Sequence, residues 1–322
     1  MSSLSPTAPP VCWVGIDVAK HTLAIAVRPS GEVWSVPTTP EALAQLAADL
    51  TRRAPVTVAL EPTGGYERAV ARVLADAGLP VVVVNARQVR RFAQASGRLA
   101  KTDTIDAHIL AHFAEAMRPP VRPLPDAMTE AIEALIERRR QVVVQRDGEK
   151  ARLATARPVV QPGIARHIEW LEEDIAALEQ ELAERVTANP AWEAKVRLLE
   201  GIPGIGRLTA MTLLARLPEI GQLGHKAIAA LVGVAPLNRD SGTLQGKRTT
   251  WGGRAEVRTA LFLPTSVACR YNPTIQAFYT RLKEAGKPSK VALIACMRKL
   301  LIICNAMLAK NQPWQAPATP SA

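Results

Sequence analysis

At 322 residues, with 48% of them hydrophobic, the chain is long enough for two domains and a sizeable core and has the apolar content of an ordinary globular protein. Its formal net charge of +11 and pI of about 9.9 point to a polyanionic partner, although charge alone does not separate DNA from RNA or from an anionic membrane. Cys12, Cys269, Cys296 and Cys304 form no CxxC pair, which argues against a zinc ribbon or a thioredoxin-like site. Their apolar surroundings fit free thiols in a reducing cytoplasm.

Residues 1–10 read as a disordered tail, without the basic start and apolar core of a signal peptide. Val11 to Asp17 is a short apolar run that predicts a buried strand ending on an acid. Thr22 to Val27 and Val33 to Val36 predict two more strands, joined by the turn residues 29–32. Glu41 to Arg53 has helical periodicity. Val56 to Leu60 is a strand followed by Glu61, and Pro62 to Gly65 is a turn. Tyr66 to Ala77 is a helix closed by Gly78, and Pro80 to Val84 is a fifth strand with the valine run of a strand covered on both faces. A helix carrying Asp103 and Asp106 follows, with Ile105, Ile109 and Phe113 recurring every fourth residue. This is the strand and helix order of ribonuclease H.

Sites in open α/β sheets form beyond the carboxyl ends of the strands. If the first and fourth strands are neighbours, Asp17 and Glu61 converge, and the last helix brings Asp103 and Asp106 over them. Four oxygen donors without His or Cys suit Mg²⁺ or Mn²⁺. Taken alone, Asp103 and Asp106 fit equally well a solvated acidic helix start, where carboxylates suit the helix dipole. His108 and His112 are four apart but lack the Glu of a zinc HExxH signature.

Pro119, Pro120, Pro123 and Pro125 predict a stiff linker. Ala127 to about Ala156 reads as a basic helix with Arg138, Arg139, Arg140 and Arg146, a candidate nucleic-acid face or else a solvated one. Ile168, Leu171, Ile175, Leu178 and Leu182 form an a/d seam of about three heptads on a second helix, Ile164 to about Val186. That seam serves either an intramolecular antiparallel hairpin or a dimer contact. It is too short to be stable alone, so we expect it to form part of an oligomer.

A second, largely helical domain starts after Asn189–Pro190. Gly201 to Gly206 resembles the hairpin of helix–hairpin–helix modules, in which Gly204 and Gly206 would expose backbone N–H groups to a phosphate. A tight turn without a ligand explains the same residues. Ser241 lies in a flexible, basic, glycine-punctuated loop with Lys247, Arg248 and Arg254, as a turn residue or as a nucleophile. Lys287 opens the last helix. Its apolar stretch, Val291 to Leu308, carries Arg298 and Lys299 at its centre, as a buried amphipathic helix would and a membrane span would not.

Gly15 to Lys20, Glu61 to Glu67, Lys101 to Ala107, Ile202 to Gly206, Val234 to Pro236, Ser241–Gly242, Gly253–Arg254 and Arg298 to Leu300 together resemble the DEDD transposases of the IS110 insertion-sequence group, also described as bridge-RNA-guided recombinases. The resemblance covers nearly the whole chain. It implies a RuvC-like mixed-sheet catalytic domain (11–120), a proline linker with coiled-coil helices (121–190), a mainly helical C-terminal transposase domain (191–315) and a short tail (316–322). It implies that Asp17, Glu61, Asp103 and Asp106 hold Mg²⁺ and that Ser241 attacks the DNA backbone. It also implies donor and target DNA, a noncoding guide RNA and a homo-oligomer, dimer or tetramer, as partners, with no membrane and a cytoplasmic, nucleoid-associated setting. The candidate nucleic-acid contacts are Lys101, Arg138, Arg139, Arg140, Arg146, Gly204, Gly206, Lys247, Arg248, Arg254 and Lys287. Two other readings stand beside it: a metal-dependent junction endonuclease in which water attacks, and a basic nucleic-acid-binding scaffold without activity.

Overall fold

The computed structural model describes residues 11–97, 102–238, 240–241, 244–246 and 248–315. Both termini, Lys101 and Lys247 lie outside the described residues. The chain divides after Leu124 into two compact units.

The first unit is built on a five-stranded mixed sheet. Its strands are β1 (Trp13–Val18), β2 (Thr22–Arg28), β3 (Val33–Pro37), β4 (Thr57–Leu60) and β5 (Val81–Val83), in the order β3-β2-β1-β4-β5. β1, β2 and β3 pair antiparallel as a meander, whereas β1–β4 and β4–β5 are parallel. The central strands are buried on both faces, as their continuous apolar runs require, while β3 alternates half-buried and exposed residues as an edge strand. Helices α1 (Pro40–Arg53), α2 (Tyr66–Asp76), α3 (Ala86–Ala95) and α4 (Asp103–Met117) complete the unit. One core joins the strands to Leu43, Leu46 and Leu50 of α1 and to Val70 and Leu74 of α2. A second joins Val89 and Ala93 of α3 to Ile109, Leu110 and Phe113 of α4.

The sequence reading passes from the fifth strand straight to the acidic helix and misses α3. Only Val89 and Ala93 of α3 are buried, so its apolar stripe is too narrow to stand out among Arg87, Arg90 and Arg91. Its start is nonetheless encoded: the Asn85 side chain caps it by accepting from Arg87 N at 2.9 Å.

The second unit is helical. α5 (Ala127–Leu153) and α6 (Gln161–Thr187) form an antiparallel hairpin, with Arg139 paired to Glu179 from the middle of α5 and Lys150 paired to Glu172 nearer the turn. The seam residues Leu171 and Ile175 bury against Val142, with Leu178 partly buried beside them. Toward the base, Leu182 and Val186 join Ile132 and Ile136 in the main core. The seam residues therefore pack against α5 of their own chain, which is the intramolecular alternative. The expectation that they serve an oligomer contact gains no support here.

That core continues through α7 (Pro190–Glu200), α8 (Arg207–Arg216), α9 (His225–Val232), α10 (Ala255–Tyr271), α11 (Pro273–Glu284) and α12 (Ser289–Lys310). By length and composition α12 is apolar enough to cross a membrane. It nevertheless buries Ala292, Cys296, Met297, Leu300, Leu301, Cys304 and Met307 within the unit. Lys299, at its centre, lies over the Phe278 ring of α11 with Nζ 4.7 Å from the ring centroid.

Candidate active site

The parallel ladder between β1 and β4 runs from Trp13 opposite Thr57 to Ile16 opposite Leu60. One more step in that register sets Asp17 beside Glu61, both half-buried at the carboxyl ends of adjacent strands. α4 lies across β1 and β2 at unusually close range. A Cβ on Gly15 would stand 2.2 Å from Ala107 O and 2.3 Å from Ala111 N, so only glycine admits the helix there. Ala24 and Ala26 of β2 meet Ala107 and Ala111 of α4 in a cluster made only of alanines. Small residues on both elements thus seat the helix by backbone contact.

The first turn of α4 carries Asp103, exposed, and Asp106, half-buried. Thr102 caps it, its hydroxyl accepting from Ile105 N at 3.3 Å and its carbonyl from Asp106 N at 2.8 Å. Two carboxylates in a first turn also meet the positive end of the helix dipole. The backbone therefore presents Asp17 and Glu61 on neighbouring strand ends and Asp103 and Asp106 on one helix turn. The side chains are not drawn together: among the described residues no three His, Cys, Asp or Glu groups are close enough to hold a metal ion.

The turn after Glu61 is fixed by a residue that sequence reasoning did not single out. Glu67, 7% exposed, turns its carboxylate back to accept from the backbone N–H groups of Thr63 and Gly65, each at 2.9 Å. Gly64 and Gly65 reach φ of 76° and 110°, the left-handed region that favours glycine. Burial alone would raise the Glu67 pKa. The N–H groups of Thr63 and Gly65 and that of Glu67 itself, with Arg68 beside them, hold it below the usual carboxylate value. A buried acid in the first turn of a helix that follows Gly–Gly was the available signal.

Ser241 does not lie in an irregular loop. Pro236–Leu237 (β6) pairs antiparallel with Thr249–Thr250 (β9), and beyond them Asp240–Ser241 (β7) pairs with Leu244–Gln245 (β8). The result is a two-tier β arm, with Ser241 opposite Leu244 and exposed. Two-residue strands are too short to show alternation, and Pro, Asn, Asp, Ser and Gly punctuate the stretch, so it reads as a loop in sequence.

The arm stands on a backbone crossing. A Cβ on Gly233 would lie 2.1 Å from Gly252 O, and one on Gly253 would lie 2.3 Å from Gly233 N. Both glycines have positive φ. Arg258, which sequence reasoning also passed over, joins the two sides: its Nη1 donates to Val232 O at 3.0 Å and to Gly252 O at 2.6 Å.

Several expected nucleic-acid contacts have partners within the protein. Arg254 makes a bidentate pair with the buried Glu219, at 2.6 and 2.7 Å, and donates to Arg216 O at 2.9 Å. A buried carboxylate demands such a partner. Arg138 pairs with Asp174, Arg139 with Glu179, Arg140 with Glu137 and Arg146 with Asp147, the first two joining α5 to α6. The Glu137 carboxyl is held down to about 2, first by the hydrogen bond from Arg140, with burial opposing and Arg216 assisting. Gly204, φ 106°, has Ala268 Cβ of α10 2.7 Å from where its own Cβ would be, so close packing accounts for it. Gly206 is exposed at the N-cap of α8, and Arg248 and Lys287 are exposed.

A transposase family model for DEDD elements of the IS110 type matches residues 14–156, and a model described as transposase of the IS116/IS110/IS902 family matches residues 196–280. The pilin gene-inverting proteins of Moraxella lacunata and Moraxella bovis are each 28% identical over 94% of this chain and 97% of their own length. An uncharacterized 43.6 kDa protein of insertion element IS110 from Streptomyces coelicolor is 28% identical over 47% of this chain and 36% of its own.

Proposed function

Because the chain belongs to the IS110 family of DNA transposases and recombinases, we propose that it cuts and rejoins DNA with four carboxylates and one serine. The first unit is read as a RuvC-like catalytic domain. The register that sets Asp17 beside Glu61, with α4 seated on Gly15, carries this reading. The DEDD designation of the matched family implies use of a divalent metal. An all-carboxylate donor set suits Mg²⁺ or Mn²⁺, and Asp17, Glu61, Asp103 and Asp106 are the residues that would hold it. Such an ion polarises a phosphate and lowers the pKa of an attacking hydroxyl.

Ser241 Oγ attacks the phosphorus of a DNA phosphodiester. The bond from phosphorus to one sugar oxygen breaks, that oxygen leaves with a proton, and a phosphoserine ester keeps the bond energy for rejoining. The exposed tip of a supported arm suits a nucleophile that must reach a large substrate. Strand choice is assigned to an element-encoded guide RNA, with the protein reading backbone and shape. The net charge of +11 is consistent with two nucleic-acid partners. The working form is a homo-oligomer acting on cytoplasmic, nucleoid DNA. The name of the Moraxella relatives, gene-inverting proteins, fits chemistry that rejoins what it cuts.

Glu61→Gln or Asp103→Asn should abolish DNA cleavage in a strand-transfer assay with Mg²⁺ while leaving DNA binding largely intact. Recombination at the normal rate by either variant would show that the acids are misassigned.

A further inference from the structure

Midway along α4, beyond its acidic first turn, lies a cavity of about 20 Å³ with an unusual lining. Arg28, at the end of β2, Ser96, which caps α3, and His108 and His112, four apart on α4, face it beside the Phe92 ring. Among the described residues no carboxylate lines it. Every polar side chain in that set can donate a hydrogen bond, and an imidazole N–H donates whether the ring is charged or neutral. The walls are held from behind. Phe92 packs edge-on against His112 and Phe113, with centroids 4.9 and 5.6 Å apart. Arg28 gives Nε to Glu115 at 2.5 Å, which leaves its terminal N–H groups to serve the cavity.

We propose that this cavity takes a phosphate of the DNA backbone, at a distance from the carboxylates. Its volume admits one or two phosphate oxygens, while the rest of the group stays in solvent beside the exposed Ser96. Asp103 and His112 are nine residues apart, about 14 Å along α4 and half a turn round it at 3.6 residues per turn, so this anchor is separate from the acid end. The inference rests on the reading of the first unit as DNA-binding, but not on Ser241 or on the metal.

The test is binding of the full chain to a short labelled DNA duplex across a salt series. Arg28→Gln should weaken binding on the order of tenfold and reduce the salt slope by about one ion. Glu115→Gln should instead tighten it about threefold, because it frees the guanidinium from its counter-charge. His108→Gln should weaken binding without altering the melting temperature, and inorganic phosphate should compete only weakly. Equal weakening by Arg28→Gln and Glu115→Gln would show a merely structural ion pair and overturn the proposal. So would unchanged DNA affinity, an effect on single-stranded RNA but not on DNA, or competition by inorganic phosphate as strong as by DNA. These readouts are of binding, so loss of cleavage in acid or serine variants bears on the chemistry alone.

Discussion

The acid end of the first unit and the serine arm of the second both rest on glycines that let backbones touch, yet they are supported differently. Under the acids, Gly15 lies between fully buried strands, and α4 is pressed onto it by alanines and by the Ile109–Phe113 core. Under the serine, Gly233 and Gly253 join two turns, and above them the arm has only short ladders of backbone pairing. Polar contacts reinforce the buried Val232, Val234 and Val257 there: Arg258 on two carbonyls and Arg254 on Glu219. A platform for metal-binding carboxylates gains from rigidity. An arm that must reach a phosphate and let it go gains from support at its root and freedom at its tip.

Steric damage at Gly15 should have the largest effect. Gly15→Ala places a methyl against two backbone atoms that cannot yield, so it should cost at least the upper end of the roughly 1–3 kcal/mol of overpacking. Denaturant unfolding should show the first unit losing stability while the second keeps its own transition. An unchanged midpoint would mean that α4 is not seated as described. Next comes Arg254→Met, which removes the bidentate partner of the buried Glu219. We expect a loss of about 3 kcal/mol, the lower end for a broken buried pair because Arg254 is one-third exposed. Activity should fall further than stability alone explains, since the crossing beneath the arm loosens. Retained activity at equal folded fraction would separate the arm from its root.

The smallest effect is on pH. The Glu137 pKa is depressed to about 2 from an ordinary value of 4.5. Its contribution is therefore complete above about pH 4.5 and is lost as pH falls toward 2. Melting temperature should decline over that window, and Glu137→Gln should flatten the decline. Because Glu137 is about a third exposed and Arg140 more than half, the difference should be a few degrees at most.

Much of this was legible in sequence, and the omissions share a cause. The strands carry short apolar runs and the acidic helix a period-4 apolar repeat, all with clear breakers, so their order was readable. The expected convergence of Asp17 and Glu61 was conditional on β1 and β4 being neighbours, which they are, with a ladder that ends at Ile16 and Leu60. α3 was hidden by a stripe of two buried residues, and the serine arm by strands of two. The arginines of α5 read as a nucleic-acid face because charge in sequence does not reveal its partners. Asp174 and Glu179 are 36 and 40 residues away from Arg138 and Arg139. Gly204 read either as part of a phosphate-gripping hairpin or as a tight turn without a ligand, and its near neighbour Ala268 is far along the chain.

The central claim is that an exposed serine at the tip of this arm becomes covalently joined to DNA. End-labelled DNA incubated with wild-type protein and Mg²⁺, then run on a denaturing gel, should yield a protein-linked band whose adduct maps to Ser241 by mass spectrometry. Ser241→Ala should give neither that band nor cleaved strands. Efficient cleavage by Ser241→Ala would contradict the account and favour attack by water.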